Sequence, residues 1–210
     1  MNGIEFVLPQ DIEKRSFEII GRELAERGIE LPEEQKDVTM RAIHTSADFD
    51  YAATLKFSDG AVSIARQLIV QGADIVTDTN MALSGINKKS LARFGGQVHC
   101  FMADEDVAQE ARDRNITRAY VSMERASRME KPVIFAIGNA PTALVALHSM
   151  MEEGIFVPKF VIGVPVGFVN VEAAKELFLN STVPSIINKG RKGGSNIAAA
   201  IVNALMYGIR

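Results

Sequence analysis

Five short apolar runs, separated by amphipathic segments, constrain the fold of this chain more than any other feature. They are Ala73 to Thr77, Gln97 to Met102, Pro132 to Ile137, Phe160 to Val164 and Pro184 to Ile187. Rich in Val and Ile and mostly lacking strict alternation, they read as strands buried on both faces. Helix-length segments lie around them, at Asp59 to Gln71, Asp104 to Arg114, Thr117 to Met129, Pro141 to Glu153, Asn170 to Leu179 and Asn196 to Tyr207. Alternating β and α elements predict a Rossmann-like α/β fold, a mainly parallel sheet flanked by helices. Such sheets bind ligands beyond the carboxyl ends of their strands, so the loops leaving the strands are where chemistry is expected.

The N-terminal third carries a helical pattern instead. Phe17, Ile20 and Leu24 share one face, charged residues cover the other, and Gly28 stands where that helix should stop. A second helix is expected from Pro32 to about Ile43. No repeat or linker divides the 210 residues, which predicts a single domain over 1–210. With 47% hydrophobic residues the chain can bury an ordinary core. Its 23 basic residues fall short of its 26 acidic ones, so nothing drives binding to a nucleic-acid backbone. The apolar runs are strand-sized, which predicts no membrane span. A lone cysteine, Cys100, suits a reducing compartment. Met1 to Glu13 lacks a basic stretch followed by an apolar run, so no secretion signal is expected and the predicted location is cytoplasmic.

Three loops share one design: Gly138-Asn139-Ala140-Pro141-Thr142, Gly163 to Asn170, and Gly190-Arg191-Lys192-Gly193-Gly194-Ser195. Glycine lets backbone N–H groups approach a ligand closely, and the helix that follows offers unpaired donors and a positive dipole end. Such a turn suits a carboxylate or phosphate. It also suits the plainer role of connecting a strand to a capped helix. Neither G-x-x-x-x-G-K-[ST] nor G-x-G-x-x-G occurs, which argues against a nucleotide cofactor.

Of three histidines, His99 reads as a core residue bonded to backbone and His148 as structural or surface. His44 stands at the end of the second helix, where the dipole and a nearby Asp48 would favour its charged form. It is a candidate general acid or, equally, a helix cap. No spacing of Cys and His marks a metal site. The residues alone therefore predict an α/β protein that binds an anionic small molecule, with His44 as the best proton donor.

Taken together, several stretches resemble one family, the precorrin-8X methylmutases and their cobalt-precorrin-8 counterparts. They are Ile12 to Ile20, the His44 segment, Thr117-Arg118, Ala136 to Leu144, Val164 to Val169, and Gly190 to Ser195. Residues 83–110 carry no motif of that family. The resemblance implies a cofactor-free isomerase, a homodimer whose substrate is a polycarboxylate tetrapyrrole and whose reaction moves a methyl group from C-11 to C-12. It makes His44 the catalytic residue, which would protonate the macrocycle. It makes Arg118 a substrate contact and places Arg15, Ser16, Asn139, Thr142, Lys192 and Ser195 in matching motifs, as candidate substrate-binding residues. A nucleotide- or sugar-phosphate-using transferase and a non-catalytic corrinoid carrier are the competing readings.

Overall fold

The computed structural model describes residues 5–209. Helices α1 (Ile12–Glu26) and α2 (Glu33–Ser46) lead the chain. α1 ends ahead of Gly28, whose φ of +67° is backbone that side-chain-bearing residues rarely adopt. α2 runs past Ile43 to Ser46 and stops at a left-handed Ala47, so His44 lies within the last turn. A short helix, α3 (Tyr51–Thr54), turns the chain into β1 (Leu55–Phe57).

Then follow α4 (Ala61–Val70), β2 (Asp74–Thr77), α5 (Asn80–Gly85), α6 (Lys88–Ala92), β3 (Val98–His99), α7 (Glu105–Asp113) and α8 (Arg118–Ala126). The last part holds β4 (Val133–Ile137), α9 (Pro141–Glu152), β5 (Phe160–Gly163), α10 (Val171–Leu179), β6 (Ser185–Asn188) and α11 (Ser195–Tyr207). No helix among the described residues is long and apolar enough to cross a membrane.

The strands form one sheet in the order β1-β6-β5-β4-β2-β3. Every pair is parallel except β1 with β6. All five apolar runs supply strands, with two departures from the sequence reading. The run at 97–102 contributes only Val98 and His99, because edge strand β3 pairs with β2 alone, at two positions. The sixth strand, β1, has no apolar run of its own. It exists because Leu55, Lys56 and Phe57 pair with Asn188, Ile187 and Ile186.

Successive strand residues face opposite sides, as the pleat requires. Ile75, Ile134, Ala136, Ile162 and Ile186 pack with α1, α2, α4 and α11. Val76, Phe135, Ile137, Val161 and Ile187 pack with α8, α9 and α10 on the other side. Each such Val, Ile or Phe side chain, fully buried, contributes roughly 1.5–3 kcal/mol, so these two layers hold the sheet and its loops are left for chemistry. Strand order reverses between β2 and β4, and that switch point is where open α/β sheets bind ligands.

Candidate active site

The strand registers bring the loops to one edge. Thr77 lies beside Ala136, Ile137 beside Gly163, and Gly163 beside Ile187. Asp78, Gly138, Val164 and the turn after Asn188 therefore emerge side by side. Helices α9, α10 and α11 start from these loops with their positive ends toward the same edge.

The first loop is already occupied from within. The Asp78 carboxylate, at the end of β2, accepts the N–H groups of Gly138 at 2.8 Å and Asn139 at 2.7 Å, and that of Ala140 as well. Burial pushes the Asp78 carboxyl up, and the three amides pull the other way. The amide pocket predicted to take a substrate anion thus holds a protein carboxylate. Asn139 keeps an exposed side chain there, and Thr142 is half-buried. Gly138 has no room for more: an added Cβ would stand 2.6 Å from the Cα of Ser195.

The other two loops have no such plug. α10 and α11 both start without a side-chain cap, which leaves their first amides with no side-chain acceptor. The third loop lies tight against β5, where the Gly194 N–H donates to the Val164 carbonyl at 2.9 Å. A Cβ on Gly193 would come within 2.0 Å of that same oxygen. Ser195 is buried, and its hydroxyl is 2.7 Å from that of Thr79, so it joins the third loop to the N-cap of α5, just past β2. The second loop presents Phe168, 83% exposed, and Val169 to solvent, with the Arg191 guanidinium over the Phe168 ring.

Lys192 is exposed, yet it is not idle. Its Nζ is 2.6 Å from both Asp48 Oδ2 and Asp50 Oδ2, which raises its pKa and lowers that of Asp48. Asp48 was expected to act on His44; the structure gives its charge to Lys192 instead. The same ion pairs draw the end of α2 to the loop edge. The His44 imidazole is exposed in that last turn and stacks on Phe17, with ring centroids 5.3 Å apart. Arg41, one turn earlier, also places its guanidinium over the Phe17 ring, 4.8 Å from its centroid.

Arg118 opens α8 and is exposed, with no ion pair among the described residues. Its neighbour Thr117 caps α8 by accepting from the Tyr120 N–H and donates to the Thr142 hydroxyl at 3.1 Å. That bond holds Arg118 beside the first loop. Arg15 and Ser16 are placed differently. Arg15 pairs with Glu5 at 2.8 Å and Glu18 at 3.4 Å, and the Ser16 hydroxyl donates to the Ile12 carbonyl. Only through Phe17, the next residue, does this stretch meet His44.

Among the remaining expectations, His99 proves half-buried, and its ring partner is the Asp74 carboxylate at 3.3 Å rather than backbone. His148 is half-buried on α9, edge-on to Phe178. Three contributors were missed: Asp78, Thr79 and Lys175. Asp78 and Thr79 follow an apolar run directly, at a predicted strand's carboxyl end, and that position was their signal. Lys175 breaks the buried stripe of Val171, Ala174 and Phe178, a cation where an apolar residue is expected.

The edge therefore combines one exposed imidazole, the exposed cations Arg118 and Lys189 with no anionic partner among the described residues, the starts of α10 and α11 without a side-chain cap, and an apolar lip. A family model described as Precorrin-8X methylmutase matches residues 11–208. A Salmonella typhimurium protein named Cobalt-precorrin-8 methylmutase is 43% identical, covering 96% of each chain. One of the same name from Priestia megaterium is 41% identical over 95% of this chain and 88% of its own. A solved precorrin-8X methylmutase from Thermus thermophilus superimposes with a TM-score of 0.84 at 36% identity, covering 94% of this chain and 96% of that one. The chain belongs to the precorrin-8X methylmutase family.

Proposed function

We propose that this chain is the isomerase that moves a methyl group from C-11 to C-12 of precorrin-8X or cobalt-precorrin-8, giving hydrogenobyrinate or cobyrinate, with His44 as the acid. The exposed His44 imidazole, drawn to the ligand-binding edge by Asp48 and Asp50, is the observation that carries this reading. Methyl migration on a conjugated macrocycle needs transient electron withdrawal, and a proton on the ring system supplies it. An isomerisation gains and loses no atoms, so the proton lent must be recovered. Imidazole gives and takes protons readily near neutrality.

The rest of the edge suits a flat ring with carboxylates around it. Phe168 and Val169 offer an apolar surface for the macrocycle face, and Arg118 offers a carboxylate its bidentate fork. Asn139 and Thr142 supply neutral hydrogen-bonding groups beside Arg118. Arg15, Ser16, Lys192 and Ser195 belong to the same reading, Lys192 by offering its third ammonium N–H to a substrate carboxylate while Asp48 and Asp50 keep the other two. No residue in this scheme calls for a cofactor. A second copy would cover Phe6, Leu8 and Ile12, large apolar side chains exposed near the N-terminus, so the active form is a homodimer. The cytoplasm suits both the lone thiol and this substrate.

Incubation with the metal-free and the cobalt-containing substrate, followed by absorbance, tests the proposal. Conversion of either is expected. Binding without conversion makes the chain a corrinoid carrier, and stoichiometric NAD binding with no corrinoid binding favours the transferase reading. Light scattering should give twice the 22.9 kDa chain mass, and the monomer mass would remove the dimer.

A further inference from the structure

The interior holds one cation that the proposed chemistry does not use. Lys175 on α10 is 0% exposed, the only charged residue besides Asp74 and Asp78 that is buried among the described residues. A buried ammonium is costly unless it is fully bonded. Here its Nζ donates to the Gly190 carbonyl at 2.7 Å and to the Lys192 carbonyl at 2.8 Å. Both acceptors lie in the third loop, on either side of Arg191.

The Lys192 carbonyl has a second donor, the Asn188 side-chain amide at 2.7 Å. Asn188 is itself bonded to the Thr54 hydroxyl at 2.7 Å, and the Lys189 N–H donates to the Thr54 carbonyl at 2.8 Å. The backbone of Lys192 is therefore held from below by α10 and from the side by β6. Its side chain leaves this anchored point and meets Asp48 and Asp50 at 2.6 Å each. Those aspartates are themselves ordered: the Asp50 N–H donates to Asp48 Oδ1 at 3.0 Å, and the Asp48 N–H to the Ser46 hydroxyl at 3.2 Å. Ser46 is the last residue of α2, two positions after His44.

We infer that Lys175 is a positioning residue for His44, acting through the Gly190–Gly194 loop and the Lys192 bridge to Asp48 and Asp50. This rests on the reading of His44 as the acid, and it adds the part that holds the acid in place. The alternative is a local role, in which Lys175 satisfies two carbonyls and the loop's shape matters to nothing else. The two differ in coupling: residues acting through one chain of contacts show non-additive effects, and independent ones add.

The experiment is a double-substitution cycle of Lys175→Met and Lys192→Met, read two ways. Turnover of cobalt-precorrin-8 at saturating concentration should fall about tenfold or more in Lys175→Met, since two buried acceptors lose their charged donor. Adding Lys192→Met should cost less than about twofold further, because the bridge is already slack. Native-state trypsin cleavage after Lys189 and Arg191 should accelerate about tenfold or more in Lys175→Met, reporting the opened loop without any substrate. Lys175→Gln keeps an N–H donor and should recover part of both losses.

Losses that multiply in the double variant overturn the inference, as does wild-type turnover or wild-type cleavage in Lys175→Met. If Lys175→Met does not fold, Lys175→Gln with Lys192→Met runs the same cycle with smaller single losses, and losses that multiply again overturn the inference. Because the trypsin arm needs no substrate, a wild-type chain without turnover defeats the proposed function while the loop is still judged by its cleavage rate.

Discussion

The Asp78 carboxylate accepts the Gly138 N–H at 2.8 Å across 60 residues of chain, and with it fills the amide pocket at the switch point of the sheet. An external anion binding there would have to displace a buried carboxylate that holds two further amides. Asp78→Asn keeps the size but turns one oxygen into a donor facing donors. A hydrogen bond to a charged group contributes about 1.5–3 kcal/mol, and leaving buried donors unpaired costs a similar amount. Urea unfolding should show a loss of about 2–4 kcal/mol as a lower midpoint at unchanged slope. A loss below about 1 kcal/mol would mean that the β4–α9 turn holds its shape without the aspartate.

Lys175 sets a dependence of stability on alkaline pH. Burial pushes its ammonium down to about 8 from an ordinary 10.5, with Glu172 opposing weakly. Between those two values the unfolded chain binds more protons at this site than the folded one, so its contribution to stability rises with pH across that window. Below about pH 8 the full penalty of a buried charge is present, and above about 10.5 it is gone. Comparing wild type with Lys175→Met by urea unfolding from pH 7.5 to 10.5 isolates the effect, expected at about 1–3 kcal/mol. Parallel pH profiles for the two proteins would show that Lys175 keeps its ordinary pKa.

His44→Ala should slow turnover by roughly 10²- to 10⁴-fold, the usual worth of a general acid. The imidazole is exposed and, among the described residues, its one ring contact is Phe17, so the fold should survive and the melting temperature should move little. Ligand affinity should fall far less than turnover, because Arg118 and the uncapped helix starts are untouched. His148→Ala, packed on Phe178 away from the loop edge, should stay active. Turnover of His44→Ala near the wild-type rate would make the histidine a helix cap and nothing more.

Arg118→Ala should weaken binding of the tetrapyrrole by roughly 10- to 100-fold, the loss of one charge-assisted contact. Arg118 is exposed, so wild-type affinity should also decline as salt rises, and the decline should be shallower in the variant. Calorimetry at two salt concentrations reads both. Equal affinities for wild type and variant would remove Arg118 from the binding site.

Much of the architecture was legible without coordinates. Runs such as Pro132 to Ile137 announce buried parallel strands because burial on both faces leaves no polar position, and Gly28 ends a helix through its own backbone freedom. The location of the loops at one sheet edge follows from that alternation. What the loops do with their charges was not legible. Asp78 plugs the first loop, Lys192 takes Asp48 away from His44, and Ser195 bonds Thr79 over 116 residues of separation. β1 was invisible for the same reason, since three residues become a strand only by pairing with β6. Periodicity and turn preference are properties of neighbours in sequence and can be read there. The partner of a charge or a bare strand edge is chosen by proximity in space, and that was decided only when the sheet brought distant segments within hydrogen-bonding range.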